Sequence, residues 1–286
     1  MTQAFAMRVP NLVLEPMVRG ALLEDMGAYG DATTRAVVPA GTRWRAEMRA
    51  RQAGRISGMA IAALAFRLVD PDLVVSTIVE DGQACEAGMT VMAIEGDAAS
   101  ILMGERVALN FAGRMSGIAT QTAAFVGEAA GTQARITCTR KTTPGLRIAE
   151  KLAVLHGGGF NHRYSLSDAI LIKDNHIAAA GGVRAVLQAV KSGASHMMAV
   201  EIEVDTLDQL AEVLDEGGAH NVLLDNMETA TLSEAVRLVD GRMKTEASGN
   251  MRLERIAEVA ATGVDYISVG ALTHSVGVLD LGLDFS

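Results

Sequence analysis

The chain is short of several things, and each shortage excludes something. Two cysteines in 286 residues, Cys85 and Cys138, are too few and too separated for a disulfide framework or a metal knuckle. Positive charge is outnumbered, 25 Lys and Arg against 34 Asp and Glu, for a net charge of -9. That balance argues against general nucleic-acid affinity, which needs a basic surface to displace counterions, yet leaves room for a local basic pocket. No apolar run is long: the longest, residues 59–66, cannot cross a bilayer. The N-terminal MTQAFAMRVPNLVLEPMVRG is broken by Arg8, Glu15 and Arg19, so it does not read as a signal peptide. The expected location is the cytoplasm. Aromatics are few (6 Phe, 3 Tyr, 1 Trp) while glycines number 29, which points to an aliphatic core and tight βα turns. With 49% hydrophobic and 21% charged residues, the composition is that of a folded soluble protein, long enough for one large domain or two modest ones.

Two rhythms divide the chain. Over residues 43–51, Trp44, Ala46, Met48 and Ala50 alternate with Arg43, Arg45, Glu47, Arg49 and Arg51, the period of a half-buried strand. Short strands follow at VVSTIV (74–79) and TVMAIEG (90–96). Residues 100–128 then read as a long helix, with Arg106, Asn110 and Arg114 on one polar stripe. After about residue 132 strand-like runs recur at 134–139, 169–174, 199–204, 221–226, 244–248 and 266–271. Helical stretches at 206–216, 231–239 and 253–262 separate the later ones. The last four strands start about 22 residues apart, one βα unit each, which predicts a parallel sheet and, with so many units, a barrel.

In such a barrel the active site lies at the C-terminal ends of the strands. Those ends carry Arg140 and Lys141, Lys173, Glu203, Asp225, Ser248 and Gly249, and Gly270, and the loop after the first strand adds His162 and Arg163. Converging Arg and Lys side chains would make an anion pocket inside an acidic protein. Glu203 and Asp225 are hard oxygen donors suited to Mg²⁺ arriving on a phosphorylated substrate. The turns at Ser248–Gly249 and Gly270–Ala271 stand where barrels commonly hold phosphate on backbone N–H groups. Plainer readings stand beside these. A lone basic residue at a strand end is more often a surface charge, and Glu201 or Glu203, which share a strand face, could simply satisfy a neighbouring lysine. Asp225 before Asn226 could begin a turn, and Cys138 reads as a small core residue. The HGGG at 156–159 has no G-x-S-x-G companion, so a hydrolase is set aside.

The block TRKTTPGLRIAEKLAVLHGGGFNHRYSLSDAILIKDNHI (139–177) closely resembles the signature of the quinolinate phosphoribosyltransferases, also called nicotinate-nucleotide pyrophosphorylases (carboxylating). The resemblance extends through LLEDMGAYGDATT (22–34), GERVALNFAGRMSGIAT (104–120), VEIEVDTLDQL (200–210), VLLDNM (222–227), EASGNM (246–251) and DYISVGALTHSVGVLDLGLDF (265–285). It implies an α/β protein with an N-terminal α/β sandwich domain (1–115) followed by an open, TIM-like α/β barrel (116–274), and a tail (275–286) that packs back on the first domain. It implies transfer of a phosphoribosyl group from phosphoribosyl pyrophosphate to quinolinate with decarboxylation, giving nicotinate mononucleotide, pyrophosphate and CO₂, with Mg²⁺ required. Arg140, His162, Arg163 and Lys173 fall where the family holds the two quinolinate carboxylates, and Arg106 where a second subunit contributes an arginine to a homodimer or higher oligomer. Lys141 matches a lysine near phosphoribosyl pyrophosphate, Glu203 and Asp225 the acidic pair near ribose and metal, directly or indirectly. Ser248, Gly249, Gly270 and Ala271 match the loops for the 5-phosphate. Asn250 departs from a second glycine; an amide can still serve a turn with positive φ. The rivals are a paralogue of the same fold associated with molybdenum uptake, which usually lacks the LIKDNHI continuation, a barrel lyase with Lys173 as a Schiff-base lysine, and a non-catalytic scaffold.

Overall fold

A computed structural model describes residues 9–285. Residues 1–8, part of the segment read above as unlike a signal peptide, and Ser286 lie outside the described residues. The chain opens with α1 (Asn11–Met26) and α2 (Ala32–Val37), then β1 (Arg43–Ala50), β2 (Gly54–Arg55), α3 (Met59–Val69), β3 (Val74–Thr77), β4 (Ala84–Cys85) and β5 (Thr90–Asp97). The 31-residue α4 (Ala98–Glu128) leads to β6 (Arg135–Thr137), α5 (Arg147–His156), β7 (Ile170–Ile172), α6 (Asp174–Ala180) and α7 (Val183–Gly193). Then strands and helices alternate: β8 (Val200–Val204), α8 (Leu207–Glu216), β9 (Asn221–Asp225), α9 (Thr229–Val239), β10 (Lys244–Ser248), α10 (Leu253–Ala260) and β11 (Tyr266–Ser268). Short α11 (Ala271–His274) and β12 (Leu281–Phe285) finish it. The chain packs as two compact units: one takes in the chain up to Ala123 with Thr143–Gly158 and the end from Val276, the other Ala124–Thr142 and Gly159–Ser275. The expected domain limit at 115/116 thus falls inside α4.

In the first unit a four-stranded antiparallel sheet runs β12-β1-β5-β3. The alternation in β1 does what its period dictates: Ala46, Met48 and Ala50 are fully buried while Arg43 and Arg45 face water. The chain's end supplies β12, paired to β1 from Ala46↔Phe285 to Ala50↔Leu281, with the Trp44 and Phe285 rings 4.8 Å apart. The approach to β12 crosses α4 at two glycines. The Leu279 N–H donates to the Gly113 carbonyl at 2.9 Å, and a Cβ on Gly117 would stand 2.0 Å from the Gly277 carbonyl oxygen. Only glycine lets the backbones meet there.

The second unit is a six-stranded parallel sheet in the order β6-β11-β10-β9-β8-β7. Every residue of β8 is buried, as expected of a parallel strand covered on both faces. Val200, Ile202 and Val204 take one face, Glu201 and Glu203 the other. Apolar side chains on helices α7 to α10, such as Leu187, Leu210, Leu232 and Ile256, are fully buried, each stabilising by about 1.5–3 kcal/mol. The sheet does not close among the described residues: β6 and β7 are its two ends, and a single rung, Thr137↔Phe160, extends the β6 side. This is the open barrel that the sequence predicts, with six strands.

Candidate active site

A cleft of about 730 Å³ lies at the C-terminal ends of the parallel strands. Arg140, Lys141, His162, Arg163, Lys173, Glu203, Asp225, Ser248, Gly249, Gly270 and Ala271 all line it. Arg106, on α4 in the other unit and exposed, does not. Thr139, Glu246, Arg252 and His274 also line the cleft and were not singled out from the sequence. Glu246 shares a strand face with Ser248 two residues on, so the period of β10 carried that signal. Arg252 and His274 sit beyond strand ends, where no periodicity points.

Arg140 and Arg163 stand near each other. Burial, then the neighbouring Arg140, pull the Arg163 guanidinium below its ordinary value. Two guanidiniums held near each other at a cost are a site for an anion between them. The Arg163 Nη1 donates to the Ala169 carbonyl at 2.7 Å, and its buried Nε has no hydrogen-bond partner among the described residues. The following loop is knotted around Asp168, whose carboxylate accepts from the Tyr164 N–H at 2.6 Å and from Ser165 N–H and Oγ at 2.9 and 2.5 Å. The Ser165 donors, first of these, hold Asp168 below the usual carboxylate range. Lys173 follows β7, and its N–H donates to His176 Nδ1 at 2.9 Å, which fixes the start of α6. That gives the Lys and His of LIKDNHI a shared structural task.

The Lys173 ammonium donates to the Glu203 carboxylate; the lysine side chain is 47% exposed, the glutamate 10%. This is the opposite of the dry or cationic setting that a Schiff-base lysine needs. It also realises the plainer reading of Glu203 as a lysine's partner, while leaving that lysine two more N–H donors. Asp225 accepts from Asn226 Nδ2 at 2.5 Å.

Two glycine turns also line the cleft. Gly249 has φ 92°, and a Cβ there would meet Asn226 Oδ1 at 2.2 Å. Asn250 follows at φ 52°, its amide donating to Asn226 Oδ1 at 3.2 Å, so it takes the left-handed conformation expected of it. Thr273 Oγ1 donates to the Lys141 carbonyl at 2.7 Å, and a Cβ on Gly270 would stand 3.2 Å from Lys141 Cδ. Lys141 is thereby laid beside the second glycine turn.

The pattern is one of neighbouring guanidiniums, an acidic pair and two glycine turns around one cleft. Two family models match the chain: quinolinate phosphoribosyl transferase, N-terminal domain, over residues 31–116, and the C-terminal domain over residues 118–284. Quinolinate phosphoribosyltransferase [decarboxylating] 1 of Nicotiana glauca is 43% identical over 291 residues, covering 96% of this chain and 83% of that protein. The probable nicotinate-nucleotide pyrophosphorylase [carboxylating] of Bacillus subtilis is 40% identical over 274 residues, covering 96% and 94%. Among solved structures, NadC from Streptococcus pyogenes superposes with a TM-score of 0.93 at 36% identity, covering 98% of this chain and 99% of that one.

Proposed function

The chain belongs to the quinolinate phosphoribosyl transferase family, and we propose that its cleft joins quinolinate to phosphoribosyl pyrophosphate and releases nicotinate mononucleotide, pyrophosphate and CO₂. The observation that carries this is one cleft lined together by basic groups, an acidic pair and two glycine turns. Arg140, Arg163 and Lys173 take the two quinolinate carboxylates. Ser248–Gly249 and Gly270–Ala271 take the 5-phosphate on backbone N–H groups, with Lys141 beside it. Glu203 and Asp225 face the ribose carbon.

The chemistry then follows from charge. The bond from the ribose carbon to pyrophosphate breaks and positive charge builds on the sugar ring, which the acidic pair stabilises from fixed positions. The quinolinate nitrogen forms the new bond and becomes a pyridinium. The bond to the adjacent carboxylate breaks, its electron pair stays on the ring carbon beside the pyridinium nitrogen, and that carbon takes up a proton. No protein nucleophile is required; the protein positions the partners and strips water from the departing carboxylate.

The donor chemistry of Glu203 and Asp225 fits Mg²⁺. One of the two carboxylates is already bonded to Lys173, which suits an ion carried on substrate phosphates better than a resident one. When bound, the ion supplies positive charge to the departing pyrophosphate. The reading also assigns Arg106 to the cleft of a second copy of the chain, in a homodimer or larger assembly. It places the reaction in the cytoplasm, with which two buried cysteines not joined in a disulfide agree. No helix among the described residues is long and apolar enough to cross a membrane.

The test is a direct assay with quinolinate, phosphoribosyl pyrophosphate and Mg²⁺, following nicotinate mononucleotide and CO₂ together. Equal formation of both is expected. Folded protein that forms neither would defeat the reading.

A further inference from the structure

His162 lines the cleft, yet both of its ring nitrogens are already engaged by the protein. Nδ1 accepts the Arg163 main-chain N–H at 2.8 Å. A main-chain N–H can only donate, so Nδ1 must carry a lone pair and no proton. The ring's proton is then on Nε2, which donates to Glu201 Oε2 at 2.9 Å. Glu246 Oε1 stands farther off, 4.0 Å from the same nitrogen. His162, Glu201 and Glu246 have the composition of a cation site, their donor atoms within 4.8 Å of one another. The nitrogen facing the carboxylates bears the proton, however, and offers no lone pair to a metal.

Glu201 does not line the cleft. It lines a second cavity, of about 270 Å³, bounded by Ala199, Asn221, Lys244 and Tyr266 at the strand starts. His162 and Arg163 border both cavities. Glu201 is 6% exposed and stands on β8, paired with Leu171 on one side and Asn221 on the other, so its carboxylate is a fixed point. A rigid strand, a ring locked in one tautomer and the Arg163 backbone form a chain of contacts ending at the guanidinium that borders the cleft.

We propose that Glu201 is a positioning residue for this reaction: through His162 it fixes the backbone at Arg163 and aims that guanidinium at a quinolinate carboxylate. The proposal rests on the reading of Arg163 given above. His162 accordingly acts as a brace, and the quinolinate carboxylates are left to Arg140, Arg163 and Lys173. The acceptor oxygen matters more than the negative charge, because the donor is a neutral imidazole.

Two measurements test this. Kinetics of Glu201→Ala and Glu201→Gln separate a brace from a general structural role. Loss of one buried hydrogen bond predicts a quinolinate KM about tenfold higher in Glu201→Ala, with the phosphoribosyl pyrophosphate KM within about twofold of the parent. Glu201→Gln, whose amide oxygen can still accept from Nε2, brings the quinolinate KM back to within about threefold. Equal rises for both substrates, or a Gln variant as poor as the Ala variant, would overturn the proposal. The ring tautomer is read from long-range ¹H–¹⁵N correlations on the unsubstituted protein labelled at histidine, which needs no variant to fold. A single proton on Nε2 of His162 is expected; a proton on Nδ1 overturns the brace. An unsubstituted protein that makes no nicotinate mononucleotide would sink the functional reading, while the spectrum would judge the brace on its own.

Discussion

Gly249 is the residue where backbone and site depend on each other most directly. Its φ of 92° disfavours any side chain, and a methyl group would come within 2.2 Å of Asn226 Oδ1 and 2.9 Å of the Asn226 nitrogen. Neither atom is the end of a long flexible chain. Gly249→Ala is expected to raise the phosphoribosyl pyrophosphate KM by about tenfold or more and to cost about 1–3 kcal/mol of stability. Steady-state kinetics with urea unfolding checks both, and a variant unchanged in KM would remove the turn from the phosphate site. His156 makes a different kind of prediction. It is half-buried in the last turn of α5, its Nδ1 2.8 Å from Ser57 Oγ. Burial pushes its basicity below the ordinary 6.5, against a smaller opposing pull from Asp81. The unfolded chain therefore binds this proton more readily than the folded one. The stability is whole above about pH 6.5 and declines as pH falls below it towards the folded value, by at most about 1.4 kcal/mol per pH unit. His156→Gln should flatten that decline in urea midpoints measured from about pH 7.5 to about pH 5; an unchanged slope would place the proton elsewhere. Single residues were legible in the sequence where they stand at the C-terminal end of a strand, as for Glu203 and Asp225. The tautomer of His162 was not legible, since it depends on a backbone N–H of the next residue and a carboxylate 39 positions away.

Between elements, the joint of α4 and α5 holds a buried carboxylate against an arginine. Glu150 on α5 is 1% exposed. Its Oε1 accepts from Arg114 Nε at 2.8 Å and Nη2 at 2.5 Å, and its Oε2 from the Thr143 N–H at 3.1 Å. Arg114 Nη2 also donates to Thr143 Oγ1 at 2.9 Å. Removing the arginine would leave a buried carboxylate without that opposite charge, so Arg114→Ala should lower stability by about 3–5 kcal/mol. The pair Arg114→Met with Glu150→Leu should recover much of that loss, because an apolar pair leaves no charge behind. Urea unfolding of the four proteins decides it, and a mild single variant would show that water reaches Glu150. Elements with a strong period were readable in advance: β1, β5, α4 and the strand–helix alternation from β8 to β11 all stand within a few residues of where the pattern puts them. α1, α2 and α5 were not named as helices. Pro16 lies inside α1, and its buried residues Leu14, Val18 and Leu22 are diluted by exposed Leu12, Val13 and Leu23, so no clean apolar face shows. The short α2 has only Thr34 buried, too little to make a period.

For the whole molecule, the sequence carried the chemistry further than it carried the assembly. An acidic chain of net charge -9 nonetheless gathers Arg140, Arg163 and Lys173 in one cleft, and alternating strands and helices put them there by rule. Arg106 obeys no such rule. It is exposed on α4, beside a Glu105 whose carboxyl burial pushes up, and it does not line the cleft of its own chain. The proposed function draws Arg106 from another copy of the chain, and closed symmetry would then give every site the same arginine. Two inactive variants should therefore repair each other. Arg106→Ala and Arg163→Ala, each alone, should lose at least about 99% of turnover if both arginines stabilise the same bound dianion. Mixed in equal amounts and allowed to exchange subunits as dimers, half the assemblies pair one of each, and in those one site has both arginines intact. Recovered activity should approach about a quarter of the parent's. Native mass spectrometry of differently tagged chains reports whether exchange has occurred. Recovery at that level after exchange places Arg106 in the neighbouring site, whereas fully exchanged protein as inactive as its components would return Arg106 to its own chain or take it out of the reaction.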